Sequence, residues 1–382
     1  MANNFLLSEE LSEFQVTLQK FLLAAFPSKV IRDRLLESEV GTLKAPLALS
    51  SDKWAALSET GCILAVAPAK VGGLGFGCQA AQMAIFEAGR VLATVPLFET
   101  IALGLRPLLL AGVEDEAANA IGRILEQQMP ASGAFQELCS GAPLCRAERG
   151  GDGWVITGDA KLVPSYAQAA IVLIPAIEET ATDQVGLFSL TTDRSGVLAT
   201  HHRSFDLLRP YTNLRLTRAK ATLLGVKPRS VFNYLAQEIS LLATAEMVGA
   251  ASRAVEITAD YVKTRKQFGK AISSFQAISH LLADMLLQVE AAAALNRFAA
   301  WAADHDPAQL EDAARASKAH ASEEMPKVLE KALQCHGGIG FTYEYDLHLY
   351  LRRVQSLSAS YGTSTNLYSA LGEKGVRSHT QE

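Results

Sequence analysis

The sequence predicts an α+β fold, mostly α: an N-terminal helical domain over residues 1–127, a middle small antiparallel β domain over 128–226 and a C-terminal four-helix bundle over 227–382. Apolar residues recur at helical spacing on both flanks of the chain. Short β-prone runs divided by turn residues occupy the stretch between them. No long helical pattern separates those runs, which disfavours parallel strands joined by helical crossovers.

Taken in order, Leu11, Phe14, Leu18, Phe21 and Leu22 fall at three- and four-residue steps and share one helix face. A second helix is expected from about Gln79 to Leu92, after Gly72-Gly73-Leu74-Gly75-Phe76-Gly77. That glycine cluster lacks the GxGxxG spacing and a preceding strand, so it reads as a tight connection and not as a phosphate cradle. The β-prone runs are Trp154–Thr157, Ala170–Ile174, Val185–Phe188 and Leu214–Thr217, with a turn at Arg149-Gly150-Gly151-Asp152-Gly153. After Pro228 an apolar stripe through Leu241, Met247, Val248, Ala251, Val255, Ala259 and Val262 marks a long helix. Further helices are expected over about Phe275 to Ala303 and Ala308 to Gln334, the latter bent or broken at Pro326 and ended by Gly337-Gly338. Leu347, Tyr350, Val354 and Leu357 form the buried side of the fourth bundle helix.

Composition narrows the function classes. The 382 residues are 49% hydrophobic and 20% charged, enough apolar surface for an enzyme-sized core. No uninterrupted apolar run approaches the ~20 residues of a membrane crossing, so membrane insertion is not expected. A net charge of −5 without a basic tract argues against nucleic acid as a partner. Met1 to Ser8 lack the basic-then-apolar order of a secretory leader, which predicts a cytoplasmic protein. The cysteines, at 62, 78, 139, 145 and 335, are scattered and odd in number, and His201-His202 are adjacent on a strand end and project apart. No metal site is expected.

Two motifs carry chemistry. Thr264-Arg265-Lys266-Gln267-Phe268-Gly269-Lys270, continued by Phe275-Gln276 and Leu282-Ala283-Asp284-Met285, places a forked cation after a long helix. Gln334-Cys335-His336-Gly337-Gly338-Ile339-Gly340-Phe341-Thr342, continued by Leu349-Tyr350-Leu351-Arg352-Arg353, offers glycines that let backbone approach a ligand. Singly, each reads as ordinary helix-end chemistry, with Arg complementing a dipole and Gly capping a C-terminus. Jointly they resemble the signature segments of the acyl-CoA dehydrogenase family, and the helical, β, helical order extends the resemblance over nearly the whole chain.

The resemblance implies FAD as cofactor. It puts Arg265, Lys266 and Gln267 along the FAD site, Phe275 and Gln276 near the adenine, and Gln334, Cys335, His336, Gly337 and Gly338 against the FAD of a neighbouring subunit. Thr363 and Thr365 fall in the family's GTxQ segment, where Thr365 replaces the usual amide. The middle domain fits more loosely: Ala134–Ser140 and Val163-Pro164-Ser165 stand where the family has a Thr-Glu-Pro-Gly-Ser-like loop and a Trp-Ile-Thr segment, leaving Ser165 as a hydroxyl donor to the flavin or as an ordinary surface serine. Implied partners are an acyl-CoA substrate, an electron-transfer flavoprotein, and either identical subunits or a homologous catalytic subunit in a heterotetramer.

In this family a carboxylate removes the α-proton of a CoA thioester. Counting from Gly337-Gly338 puts Tyr361 at that position, ahead of Gly362-Thr363, with Gly362 beside the substrate. A tyrosine, with an ordinary pKa of about 10, makes a poor base at neutral pH. Its backbone N–H still matches the family amide that polarises the thioester carbonyl. The family's alternative glutamate position, on the helix before Arg265, holds Ile239. Glu238 is one residue away and turned by about 100°. Glu246, in an apolar segment, is the weak substitute candidate, since burial there would raise its pKa, and the favoured reading of both glutamates is a paired or solvent-facing helix residue. The sequence therefore predicts an acyl-CoA dehydrogenase-type subunit lacking its own base. Its alternatives are an independently active enzyme using Glu246 or Glu238, and a flavin-free scaffold subunit.

Overall fold

The computed structural model describes residues 7–39, 50–111, 115–151, 153–178, 183–202, 204–342 and 344–379. Residues 1–6, where a leader would begin, and Asp152 of the turn at 149–153 lie outside these.

The first part of the chain is helical: α1 (Glu9–Ala25), α2 (Ser28–Glu39), α3 (Ser51–Glu59), α4 (Gly77–Arg90), a π-helical segment Glu99–Leu105, α5 (Arg106–Ala111) and α6 (Asp115–Leu125). The Ser8 hydroxyl accepts the Leu11 N–H at 3.3 Å, and Glu9 and Glu10 occupy the first turn, where the helix dipole favours negative charge. Leu11, Leu18 and Leu22 are the buried face of α1.

Next come β1 (Ala131–Gly133), the short α7 (Gln136–Ser140), β2 (Cys145–Gly150), β3 (Gly153–Pro164), β4 (Ile171–Glu178), β5 (Gln184–Leu190), β6 (Val197–His202) and the long β7 (Tyr211–Pro228). The strands form one sheet in the order β1-β4-β2-β3-β7-β5, and β5 also pairs with β4, which curls the sheet back on itself. Most pairings are antiparallel, as the turn-separated runs predict. β4 differs, lying parallel to both β1 and β2. It inserts between two strands that the α7 crossover leaves pointing the same way, and a run of β-prone residues carries no mark of its partner.

The last part comprises α8 (Arg229–Thr264), a tight hairpin of β8 (Lys266–Gln267) and β9 (Lys270–Ala271), α9 (Gln276–His305), α10 (Pro307–His336), α11 (Leu347–Ala359) and α12 (Ser364–His379). Of the two outcomes expected at Pro326, a bend or a break, the break does not occur: α10 runs on through it. α12 lies beyond the expected helices; its serines and glycines are poor helix formers and hide it from the sequence pattern. α9 is long and apolar enough to cross a membrane by length and composition, and only 22% of that stretch is buried within the chain. Leu286 and Leu287 on it are 52% and 65% exposed.

Two glycines set the depth at which the N-terminal helices meet the bundle. A Cβ on Gly249 of α8 would stand 2.0 Å from the Phe86 carbonyl oxygen of α4, and one on Gly89 of α4 would stand 2.3 Å from the Glu246 carbonyl oxygen of α8. The two backbones touch, and that contact fixes where Glu246 sits. Gly249→Ala is expected to lower the unfolding free energy by about 1–3 kcal/mol through overpacking. Gly122→Ala in α6, where a Cβ meets nothing within 4 Å, leaves stability unchanged or raises it. Denaturant unfolding of the two variants checks the contrast.

Candidate functional site

Five charged side chains, each at most 5% exposed, converge where α8, α11, the π-helical segment and the loop before β7 meet. Arg209 Nε lies 2.8 Å from Glu99 Oε1, and its Nη2 lies 2.9 and 2.8 Å from the two oxygens of Glu246. Arg353 donates through Nε to Asp206 and through Nη1 to Glu246. Asp206 also accepts the Leu208 N–H at 2.9 Å, which holds the loop that presents Arg209. Glu99, Asp206 and Glu246 thus face Arg209 and Arg353, three negative charges to two positive, all buried.

This network corrects the sequence reading of Glu246. Burial by itself raises a carboxyl pKa, as expected there, but the Arg209 and Arg353 guanidiniums more than offset it and hold Glu246 below the ordinary carboxylate value. A group so held is a standing anion with its lone pairs taken, unsuited to accept a substrate proton. Glu238 is fully buried and bonded through both oxygens by Arg106 of α5, with Nε at 2.9 Å. Neither helix carboxylate is a free base.

Tyr361 is 3% exposed, and its ring centroid lies 5.7 Å from that of Phe98, whose face in turn receives the Arg209 guanidinium at 5.1 Å. Burial pushes the phenol well above its ordinary pKa of 10. The residue adopts φ 57°, rare for an aromatic side chain, and Gly362 follows at φ 112°. The Tyr361 N–H donates to Gln136 Oε1 of α7 at 3.1 Å, so the backbone donor singled out above is held by a side chain of the same protein.

Beside Gln136 opens a cavity of about 620 Å³, lined among others by Glu137, Arg146, Asp159, Lys161 and Leu162. Its size suits a small organic ligand. Burial raises the Glu137 pKa, and its carboxylate accepts the Lys161 N–H at 2.7 Å. Ser165 does not open onto a surface: it is 3% exposed, with φ 51°, and its hydroxyl donates to Glu99 at 3.0 Å. That bond commits the hydroxyl to the charge network.

The remaining residues lie outside this network. Arg265, Lys266, Gln267, Gln276, Gln334, Gly337, Gly338, Thr363 and Thr365 are exposed, Phe275 is half-buried, and Cys335 and His336 are buried. Phe268 and Gly269, both at positive φ, close the β8–β9 hairpin and leave the Phe268 ring 91% exposed. His336 stacks on Tyr261 with centroids 4.1 Å apart, and Tyr345 packs edge-on against both rings. This stack joins the C-terminal ends of α8 and α10, and so brings the Arg265 and Gly337 segments to one edge of the bundle. Gln136, Glu99 and Arg209 escaped the sequence reading as partners of Tyr361: two lie on loops or irregular helix and the third in a five-residue helix, where no periodicity signals a role.

Residues 238–374 match the family model described as acyl-CoA dehydrogenase, C-terminal domain. A probable acyl-CoA dehydrogenase of Bacillus subtilis, YngJ, is 28% identical over 323 residues, covering 78% of this chain and 82% of that protein. The acyl-CoA dehydrogenase IpdE2 of Mycobacterium tuberculosis is 29% identical over 329 residues, covering 84% and 87%. Among solved structures, the Tcur3481–Tcur3483 steroid ACAD superposes with a TM-score of 0.85 at 27% identity, covering 97% of this chain and 99% of that one. The ChsE4–ChsE5 complex of Mycobacterium tuberculosis shares the fold at a TM-score of 0.84 and 23% identity, covering 98% and 99%.

The depressed pKa of Glu246 makes a stability prediction. Its folded value lies below the unfolded 4.5, so its contribution is fully present above pH 4.5 and is lost as pH falls through the folded value. Glu246→Gln is expected to be about 3–5 kcal/mol less stable at pH 7, because two buried guanidiniums lose their charge partner. The deficit narrows below pH 4.5, as measured by denaturant unfolding across the acid range.

Proposed function

This chain belongs to the acyl-CoA dehydrogenase family, and from that membership we propose that it serves as a flavoprotein subunit without a catalytic glutamate of its own. It is an acyl-CoA dehydrogenase-type oxidoreductase, and FAD is its cofactor. The single observation that carries the proposal is Tyr361 at the family's base position, sealed against Phe98, while Glu238 and Glu246 are both locked by arginines.

The residues fit FAD unevenly. At the bundle edge, Arg265 and Lys266 form no side-chain ion pair among the described residues, and Gly337 and Gly338 have open space where a Cβ would stand. In our reading that edge takes the diphosphate and adenine of an FAD held across a subunit boundary, with Gln267, Phe275, Gln276 and Gln334 around it. Thr363 and Thr365 follow the Tyr361–Gly362 segment and are free to reach the same molecule. The ring end is less well provided: Ser165 is bonded to Glu99, and Pro164 beside it lacks an N–H.

FAD held there would supply the acceptor for the β-hydrogen of the thioester, which leaves as hydride while a base takes the α-proton to give an α,β-unsaturated thioester. This chain's own part is to bind and orient. Gly362 and the Tyr361 amide lie beside the reacting carbonyl, the amide exchanging Gln136 for the thioester oxygen, and Tyr361 with Phe98 keeps water from that side. A homologous partner supplies the carboxylate. ChsE4–ChsE5 is a complex of differently named chains, which supports such a pairing. The exposed apolar face of α9 gives a neighbouring subunit something to cover. The electron-transfer flavoprotein remains the proposed acceptor.

A missing general base is expected to depress turnover by about 10²–10⁴-fold. The purified chain, loaded with FAD, therefore bleaches its flavin with acyl-CoA at most at that reduced rate, and co-expression with a glutamate-bearing homologue restores it. Ordinary family rates from the chain alone would refute the proposal. Tyr361→Phe should leave turnover of the assembled enzyme within about twofold, since a phenol at or above pKa 10 contributes no base at neutral pH.

A further inference from the structure

Lys318 lies in the middle of α10 and is entirely buried. Its ammonium donates to the Leu357 carbonyl in the last turn of α11, the same oxygen that accepts the Ser360 N–H at 3.2 Å. Among the described residues no carboxylate pairs with it. Burial lowers its pKa to about 7, with the Cys139 thiol of α7 acting weakly in the other direction. That thiol is itself pushed far up by burial and is neutral. The carboxylates that α8 buries are held by Arg106, Arg209 and Arg353; α9 contributes the neutral Asn296; α11 contributes Arg353, bonded to Asp206 and Glu246; and Lys374 of α12 pairs with Asp312 at the surface.

A buried lysine without a counter-ion weakens a fold that a methionine of similar length would serve as well. What it gains is a cation at the C-terminal end of α11, where the helix dipole and the free carbonyls favour one. The helix ends at Ala359, two residues before Tyr361. The segment after it holds two consecutive positive-φ residues, Tyr361 and Gly362, before α12 begins at Ser364. α7 holds the same segment from the other side, where Gln136 takes the Tyr361 N–H.

We propose that Lys318 is a positioning residue, whose ammonium pins the end of α11 and thereby sets the Tyr361–Gly362 segment in the substrate-facing conformation. The importance of that segment rests on the functional reading above; the pinning itself does not.

The test is amide hydrogen exchange in the full chain, read by mass spectrometry over residues 358–367, for wild type, Lys318→Met, Lys318→Gln and the surface control Lys327→Met. Loss of a charged hydrogen bond is expected to speed exchange of the Tyr361 to Leu367 amides about tenfold in Lys318→Met, with the melting temperature unchanged or higher. Lys318→Gln, which keeps a neutral N–H donor, falls between, and Lys327→Met matches wild type. The wild-type ammonium is present below pH 7 and lost above it, so protection of these amides, corrected for intrinsic exchange, declines from pH 6 to pH 9. In Lys318→Met it is flat, and this pH series on wild type and Lys318→Gln decides the matter should Lys318→Met not fold. Unchanged exchange at 361–367, or a uniform rise through the whole bundle with a lower melting temperature, overturns the proposal. No partner, cofactor or thioester enters the measurement, so its failure leaves the base-lacking reading intact. Turnover by the chain alone, conversely, would remove that reading and leave the pinning.

Discussion

Two arginines close on one carboxylate, and most of the site follows from that contact. Glu246 is carried inward by the glycine-mediated touch of α4 and α8, where a Cβ at either glycine would strike the opposing backbone. Arg353 reaches it from α11 and Arg209 from the loop before β7, and each guanidinium has a further acid to satisfy, Asp206 or Glu99. Buried ions stabilise a protein only when every member is matched in geometry. The pairing here joins four separate segments and is incomplete, with Glu99 Oε2 and Arg209 Nη1 unpartnered among the described residues, so removing one member strands further charge in the others. The network is better understood as a fixture of register than as a store of stability.

The same fixture is why the proposed function gives the helix glutamates no acid–base work. A carboxyl in an apolar segment would ordinarily be a candidate for a raised pKa and proton transfer. Arginine contacts reverse that for Glu246, and Arg106 holds both oxygens of Glu238 eight residues, about two turns, earlier on α8. Tyr361 packs on Phe98, which lies under Arg209, so the network also supports the ring that stands in place of a base. Binding and proton abstraction are separate properties, and in the proposed function this chain serves the first without the second.

The helices of the bundle were legible because their apolar stripes have the helical period and their ends carry glycine or proline. Tyr361 was legible too, since it lies a fixed count beyond Gly337-Gly338. What stayed hidden was pairing. Glu246 announces itself as buried, but its partners come from a loop 37 residues upstream and a helix 107 residues downstream, and no periodicity links them. Ser165 likewise reads as a hydroxyl near the flavin, and only the fold turns it toward Glu99. The parallel setting of β4, the uninterrupted passage of α10 through Pro326 and the presence of α12 are tertiary outcomes that local propensity does not encode.

The account stands on one claim, that no group of this chain removes the α-proton. Deuterium uptake at the α-carbon of a saturating acyl-CoA, incubated in D₂O with the purified FAD-loaded chain, reads that step without requiring net oxidation. The account predicts uptake no faster than in buffer with the chain alone, and uptake once the glutamate-bearing partner is added. Uptake by the chain alone, abolished by replacing Glu246 or Glu238, would contradict it.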